Sequence, residues 1–515
     1  MIPSPRAACV IAALRGSLAS AETLAAQAPR SFTGPPARGD LSATQVDVSG
    51  ASGAVARFYS LRANAPVWTV GQTAALQATL AGAARHGLDP APYLALISTS
   101  ERASDQDLML TRVALAYARA LSQGVADPHA IFKVYTLAQD QTDLVAGLQS
   151  ALASDRLGTW MEGLAPQDPE YRALSDAYLA QVAAAARPTR SKIPAGPSLK
   201  VGDLDARTPQ ILVAIIEDLG PVAPPLGDAV AVATWTQADA DALKTYQRSR
   251  GLREDGVPGP NTLAMLNASP QDKARRLAVN LERLRWLQRH PPSTRIDVNT
   301  AAATLTYIVD GRPVWTTRVV PGRPGHETPQ LEASFERLVL NPPWRVPASI
   351  ARAEINPKGA GYLRRNHMRR VGGRIIQAPG PWAALGLVKF DLQDPYAIYL
   401  HDTPVRTVFA RSQRHLSHGC VRVEDAIGFA RRLAQARGQV ERFETVLASG
   451  ATGVIQLATE IPVRLIYQTA LIGEAGRLTF RPDVYGWDAR VAAAMGMAPP
   501  VREGVEPVTA APLGP

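Results

Sequence analysis

The hydrophobic period of the chain changes near Thr294, and this change constrains the fold more than any other feature. Before it, apolar residues recur at helical spacing, as in the stripe Leu277, Leu281, Leu284 and Leu287. After it, residues 304–309 and 314–320 alternate on either side of Asp310-Gly311, which predicts a β-hairpin with a tight turn. The chain is therefore predicted to be multidomain α+β, with helices first and a β-rich part after them.

The length of 515 residues is too great for one ordinary core, so several domains are expected. Shifts of composition and period divide the chain. The helical parts are a domain at 51–187, a small module at 199–268 after a Pro/Lys/Ser-rich linker at 188–198, and a returning helix at 269–293 that Ser269-Pro270 opens. A β-rich domain follows at 294–470, with an insertion at about 350–385. A C-terminal extension occupies 471–515, and its Ala/Pro/Val-rich tail after Asp488 is predicted to be disordered.

The N-terminus has the features of an export signal. Arg6 precedes a short apolar stretch, and small residues at Ala19-Ser20-Ala21 offer a cleavage site, with Ala26-Gln27-Ala28 as a second one. We predict a signal peptide at 1–21 (cleavage after 21 or after 28), a leader at 22–50 and a periplasmic mature protein. No run of about 18 apolar residues occurs, so no stable membrane span is expected. Cys9 would leave with the signal peptide.

The net charge of +10 would allow nucleic acid as a partner. However, the sequence has no zinc-finger spacing, RNA-binding aromatic strand or basic run, so no nucleic acid is expected. The positive charge fits a basic surface that acts near an anionic wall polymer. It also fits arginines that are merely solvated on helix faces.

The chemistry concentrates in one stretch of the β-rich part. Cys420 is one of two cysteines, and three of the eight histidines lie near it: His401, His415 and His418. A cysteine with a histidine available is the pattern of a thiolate nucleophile with a separate base, and a buried inert cysteine is the structural alternative.

Local patterns place this stretch on secondary structure. Alternation over residues 396–401 predicts a strand with Tyr399 and His401 on one face. A helix predicted from Glu424 follows Cys420, so its dipole could favour a thiolate.

His401 is followed by fifteen residues and then by Ser417-His418-Gly419-Cys420. This arrangement resembles the signature of the L,D-transpeptidases, which are cell-wall enzymes with a YkuD-type catalytic domain. The surrounding sequence resembles their large multidomain, YcbB-like branch of Gram-negative bacteria. The stretches that carry the resemblance are 320–324, 328–329, 341–347, 349–352, 386–390 and 394–404. Where the family usually has Asn-Ala-Leu-Gly, this chain has Ala383-Ala384-Leu385-Gly386, preceded by Trp382. The family's contacts between cap and substrate are therefore the least applicable to this chain.

The resemblance implies a fold of a β-rich catalytic domain with an inserted cap, a helical scaffold and a three-helix module similar to peptidoglycan-binding modules. It implies Cys420 as nucleophile and His401 as general base and acid. The backbone carbonyl of Asp402 would orient His401, and backbone N–H groups at Gly419 and Cys420 would form the oxyanion hole. No cofactor is implied.

Four further residues are expected to contact substrate by the same resemblance. The Tyr399 hydroxyl would help to stabilise the oxyanion, and the Ser417 hydroxyl would fix the loop. His418 and Arg422 would shape the loop and hold a substrate carboxylate. The implied partners are peptidoglycan stem peptides as donor and acceptor, with glycan contact by the module at 199–268 or a purely architectural role for it. Carbapenems are expected to acylate Cys420.

Several alternatives stay open on sequence alone. Zinc could be held by His401, His415, His418 and Cys420, although no ordered ligand spacing supports it. The chain could instead be a non-catalytic wall-binding protein. On the same site, water as acceptor would give an L,D-carboxypeptidase, and a protein amine would give an attachment enzyme.

Overall fold

The computed structural model describes residues 45–48, 51, 53–97, 103–188, 190–219, 232–473 and 476–502. The predicted signal peptide at 1–21, both cleavage sites, Cys9, most of the leader at 22–50 and the last part of the tail at 503–515 lie outside the described residues.

A helical region forms the first part of the structure. Its starts follow from capping chemistry: Thr69 and Gln72 form a reciprocal capping box, and the Asp168 side chain accepts the N–H of Tyr171. Apolar faces pack into one core that includes Phe58, Leu76 and Leu121. The helices are Gly53–Ser60, Val70–Ala81, Ala91–Ile97, Ala103–Gln123, Pro128–Ile131, Leu144–Ala153, Leu157–Leu164 and Pro169–Ala185, with a 3₁₀ turn at Gly82–His86.

The small module holds three described helices, as the fold-class prediction states. Tyr246 and Leu263 are buried in its core, where the sequence places them. The helices are Thr208–Leu219, Gln237–Arg250 and Pro260–Leu266, and a two-stranded ribbon pairs Leu204–Asp205 with Ala233–Thr234.

The helix Pro270–Arg285 returns from the module to the first helical region. Ser269 caps it, because its hydroxyl accepts the N–H of Asp272 at 3.1 Å, and Pro270 occupies the first turn. The helix packs against Pro169–Ala185, and Leu277 and Leu281 are fully buried. The predicted cap is confirmed, but the helix ends at Arg285, so Leu287 of the predicted stripe lies beyond it.

The β-rich part is a closed barrel, and the predicted α+β class is confirmed. The hairpin forms as expected: Asp310 and Gly311 both have positive φ, 49° and 77°, which matches the turn that joins twisted strands. The strand order around the barrel is Val388–Phe390, Leu400–His401, Val421–Val423, Arg312–Val320, Thr304–Val309, Arg295–Asn299, Gly453–Ile466 and Leu331–Leu340.

The strand predicted over residues 396–401 is shorter than expected. Only Leu400–His401 pairs as a strand, because the Asp394 carboxylate accepts the N–H groups of Tyr396 and Ile398 and folds the preceding residues into a turn. Ala397 has a φ of +57° in this turn. The predicted facing is still correct, since Leu400 lies in the barrel core and Tyr399 does not.

A cap is inserted between the strands that end at Leu340 and begin at Val388. It has its own small core around Trp344, Ile355 and Ile375. Its elements are the strands Trp344–Arg345, Met368–Val371 and Arg374–Gln377, the helices Ala348–Ile350 and Gly359–Arg365, a π-helical turn at Ala351–Ile355 and a 3₁₀ turn at Asn356–Lys358. Outside the cap, the 3₁₀ turn Arg406–Ala410 and the helices Ala426–Gln435 and Val440–Ser449 complete this domain.

The prediction that the chain is disordered after Asp488 is wrong for residues 489–502. The strands Ala470–Ile472 and Leu478–Phe480 pair, and the helix Trp487–Ala494 buries Val491 and Ala492. Asp488 anchors this helix, because its carboxylate accepts from Arg283 at 2.6 Å. Composition alone does not indicate these contacts, because they join the Ala- and Pro-rich segment to residues far away in the sequence.

No helix among the described residues is long and apolar enough to cross a membrane.

Candidate active site

Two parallel neighbouring strands bring the chemical residues to one edge of the barrel. Leu400–His401 pairs with Val421–Val423, so that Leu400 lies opposite Val421 and His401 opposite Arg422. The N–H of Val421 donates to the Tyr399 carbonyl at 3.0 Å. Tyr399 and Cys420 therefore flank the same pair of strands, although 21 positions separate them in the sequence.

Cys420 is buried beside Tyr399. Its residue is 7% exposed, and its thiol donates to the carbonyl of Ala397, with 3.7 Å between Sγ and O. Burial raises the pKa of the thiol to about 11, and contacts with Tyr399 and the charge of Lys389 oppose this rise. The dipole of the helix that begins at Ala426 does not determine the charge state of the Cys420 thiol. The strand Val421–Val423 separates the two, and desolvation is the largest influence on the pKa of the thiol.

His401 is fully buried, and the backbone carbonyls of Asp402 and Leu385 lie beside its ring. Its Nδ1 lies 2.5 Å from the Asp402 carbonyl oxygen, the contact that the resemblance implies. A carbonyl can only accept, so Nδ1 carries the proton and Nε2 has its lone pair available. Nε2 has no hydrogen-bond partner in the described part of the chain. Burial, followed by the charge of Arg422, lowers the pKa of His401 to about 3.

The loop before Cys420 is held by its own serine. The Ser417 hydroxyl donates to the Cys420 carbonyl at 2.5 Å and accepts the N–H of Gly419 at 3.1 Å. Gly419 has a φ of +122°, a conformation that side chains disfavour. Its N–H is therefore engaged within the loop, which contradicts its expected place in an oxyanion hole. The N–H of Cys420 is the remaining backbone candidate.

The two residues expected to hold a substrate carboxylate differ in position. Arg422 is fully buried on the strand Val421–Val423, and burial lowers its pKa to about 10. His418 lies at the cap, with Nε2 2.6 Å from Oε1 of Glu354. Arg422 thus lies in the wall of the barrel, and His418 lies against the cap.

Sequence reasoning missed the residues that support the loop from behind. The Thr328 hydroxyl donates to the Gly419 carbonyl at 2.7 Å and accepts the N–H of Gly322 at 2.9 Å. The Tyr485 hydroxyl donates to the Gly322 carbonyl at 2.7 Å. Thr328 lies in a stretch that carries the family resemblance, whereas nothing in the sequence pattern singles out Tyr485.

The four side chains considered as zinc ligands do not converge. His415 is buried with Nε2 2.7 Å from the Thr300 carbonyl, while His401 and His418 contact Asp402 and Glu354. In the ranges that the structure describes, no group of three or more His, Cys, Asp or Glu is placed to hold a metal ion.

Three family models match separate parts of the chain. Residues 53–177 match a model described as a scaffold domain, residues 237–266 one described as "Putative peptidoglycan binding domain", and residues 293–451 one described as L,D-transpeptidase catalytic domain. The last match contains both His401 and Cys420. The β-rich part of the chain is a YkuD-type L,D-transpeptidase catalytic domain. The fold-class prediction is thereby confirmed in all three parts.

One curated relative carries the same family name. The chain is 34% identical over 241 residues to "Putative L,D-transpeptidase" of Haemophilus influenzae, across 42% of this chain and 48% of the relative. This chain thus spans about half the length of the curated relative that it matches.

Solved L,D-transpeptidases are more distant. The one from Stackebrandtia nassauensis is 12% identical, with 54% of this chain and 97% of that chain covered and a TM-score of 0.23. The one from Mycobacterium smegmatis is 13% identical, with 34% and 58% covered and a TM-score of 0.20.

The Tyr485 hydroxyl is expected to position the loop of this L,D-transpeptidase domain. Tyr485→Phe should lower the free energy of unfolding by about 1–3 kcal/mol, because the Gly322 carbonyl loses its buried donor. It should also slow acylation of Cys420, since Gly322 and Thr328 support Gly419. Urea unfolding and acylation kinetics measure the two effects. Tyr59→Phe, which removes a buried hydroxyl in the scaffold, should reduce stability alone; equal acylation rates in both variants would contradict the positioning role.

Proposed function

We propose that the protein is a peptidoglycan L,D-transpeptidase that transfers an acyl group through a cysteine thioester. The single observation that carries this proposal is the position of Cys420 directly before the strand Val421–Val423, which lies beside the parallel strand that holds His401 in a YkuD-type domain. A thiol and a neutral imidazole are sufficient for acyl transfer, and no cofactor is required.

In the first half-reaction, Sγ of Cys420 attacks the carbonyl at the L-centre of the diamino acid in a tetrapeptide stem. The thiol turns from the Ala397 carbonyl toward His401, and its proton passes to Nε2. A C–S bond forms, the C–N bond to the terminal D-Ala breaks, and His401 gives the proton to the departing amine.

In the second half-reaction, the side-chain amine of another stem attacks the thioester. His401 takes the proton from the attacking nitrogen and returns it to sulfur as the C–S bond breaks. The product is a 3→3 crosslink. The Asp402 carbonyl keeps Nδ1 protonated throughout, so the same nitrogen, Nε2, handles the proton in both steps.

The developing oxyanion requires donors close to Sγ. We assign this role to the N–H of Cys420 together with the Tyr399 hydroxyl, which interacts with Cys420. Tyr399 remains protonated at working pH, because burial raises its pKa well above the usual value. It can therefore donate a hydrogen bond.

The setting of this reaction is proposed on the same basis. Export to the periplasm would bring the domain to its wall substrate, and the module at 199–268 would contact glycan. Carbapenems would acylate Cys420 as stem-peptide mimics. Each proposal depends on the reaction above.

Intact-protein mass spectrometry tests the reaction directly. Mature protein is incubated with tetrapeptide-bearing muropeptides, alone and with a second stem as acceptor. An adduct on Cys420 followed by a crosslinked dimer is expected. An adduct that resolves only to tripeptide would indicate an L,D-carboxypeptidase, and a product joined to a protein amine would indicate an attachment enzyme. No adduct on an intact, titratable thiol would contradict the proposal.

The acylation rate is expected to be nearly independent of pH across the neutral range. The pKa of His401 is about 3 and that of the thiol is about 11, so both groups stay neutral between these values. A blocked tetrapeptide without other titrating groups should therefore give a flat kcat/KM from roughly pH 5 to 9. The rate should fall only below this range, where His401 becomes protonated. A limb centred near neutrality would instead indicate a thiolate–imidazolium pair.

A further inference from the structure

A cluster of cationic and imidazole side chains lies where the loop of Cys420 meets the cap. His418 Nε2 is 2.6 Å from Glu354 Oε1, and Arg323 Nη2 is 3.5 Å from the same oxygen. The His326 ring packs edge-on against His418, with 5.1 Å between centroids. One carboxylate oxygen of the cap thus contacts donors from two loops of the barrel.

The donors belong to one rigid unit with the nucleophile. The N–H of Arg323 donates to the Ser417 carbonyl at 3.0 Å, and Gly322 pairs with Ser417 as a parallel bridge. Gly322 makes this turn possible, because a Cβ there would lie 2.0 Å from the His326 carbonyl oxygen. Since His418 is two positions before Cys420, the donors and the nucleophile belong to the same stretch of backbone.

The carboxylate, in contrast, comes from the inserted cap. Glu354 lies in the π-helical turn Ala351–Ile355, and such turns are frequent at functional sites. The side chains of Glu354 and Arg323 are 28% and 25% exposed, whereas His418 is 6% exposed. The cluster is therefore open to solvent on the side of Glu354 and closed on the side of the nucleophile.

We propose that Arg323 and His418 form a carboxylate-binding subsite, that Glu354 occupies it when the cap is closed, and that a carboxylate of the donor peptide displaces Glu354. This inference rests on the proposed function, since the donor is a stem peptide. The contacting oxygen of Glu354 stands in for a peptide carboxylate oxygen. The assignment adds Arg323 and Glu354 to the site and replaces the buried Arg422 as the guanidinium that meets substrate.

Physical reasons favour an exchange of one carboxylate for another. Charge-assisted hydrogen bonds are roughly twice as strong as neutral ones, so the donors gain by remaining paired. An incoming carboxylate restores the bonds that Glu354 leaves, and Glu354 moves into water rather than into a buried site. Donor binding and release of the cap from the loop are thereby coupled.

The test uses two donor peptides that differ only at the C-terminus, one a free carboxylate and one a carboxamide. Glu354→Gln removes the competing charge, so KM for the carboxylate donor should fall by about tenfold, with KM for the carboxamide unchanged. Arg323→Gln should raise KM for the carboxylate donor by a similar factor, and Arg323→Lys should restore part of the loss. Glu441→Gln, on the exposed helix Val440–Ser449, is the matched control and should change neither KM.

Other outcomes separate the inference from the proposed function. If Glu354→Gln raises KM for both donors, Glu354 only fastens the cap and the subsite is contradicted. If Arg323→Gln and Arg323→Lys leave the ratio of the two KM values unchanged while both variants keep the thermal midpoint of the parent, the subsite is also contradicted. Failure of the parent protein to acylate with either donor would contradict the proposed function itself.

Discussion

Cys420→Ser is expected to abolish formation of the acyl-enzyme. The hydroxyl of serine is a far weaker nucleophile than a thiol, and His401 alone would have to activate it in a site where burial already disfavours charge. Incubation with a tetrapeptide stem followed by intact-protein mass spectrometry should show no adduct over times that label the parent fully.

The variant needs controls for fold and for thiol content. Serine is close in size to cysteine, so the thermal midpoint should stay near that of the parent. Cleavage of the signal peptide would remove Cys9, the other cysteine of the sequence, so thiol titration should fall from one equivalent to none. A persistent adduct on the substituted protein would mean that another residue is the nucleophile.

His401→Ala is expected to lower the acylation rate by at least about a hundredfold, the usual contribution of a general base. The residue lies opposite Arg422 on the strand beside Cys420, and its Nε2 is the proton acceptor assigned above. Because the thiol has a pKa of about 11, little thiolate exists at neutral pH without a base. The residual rate should therefore rise with pH in the variant, while the parent profile stays flat.

A histidine away from the site provides the comparison. His129 is exposed at the start of a short scaffold helix, and His129→Ala should retain the parental rate. Full activity in His401→Ala, with an unchanged pH profile, would remove His401 from the mechanism.

Local chemistry accounts for the features that were predictable from sequence. The Asp310-Gly311 turn, the Ser269 cap and the facing of Tyr399 and Leu400 each depend on residues only a few positions apart. Such contacts follow from backbone geometry and side-chain type, so the order of residues is sufficient to indicate them.

Errors arose where a local signal competed with another contact. Alternation predicts a strand over residues 396–401. The Asp394 carboxylate instead accepts the N–H groups of Tyr396 and Ile398, and this part of the segment forms a turn. The family resemblance implies that the Gly419 N–H is a donor of the oxyanion hole. In the structure, this N–H donates to the Ser417 hydroxyl. In both places a polar side chain satisfies a backbone donor, which periodicity alone does not reveal.

The α+β class, the Asp310-Gly311 hairpin, the Ser269 cap and the residues of the family signature can be read from the order of residues alone. Tertiary contacts set the environment of these residues: burial raises the pKa of Cys420, Arg422 is buried on a barrel strand, and Glu354 contacts His418. The physical reason is that desolvation and ion pairing depend on which distant segments pack together. Glu354 and His418 are 64 positions apart in the chain, and only the closed barrel and its cap bring them into contact.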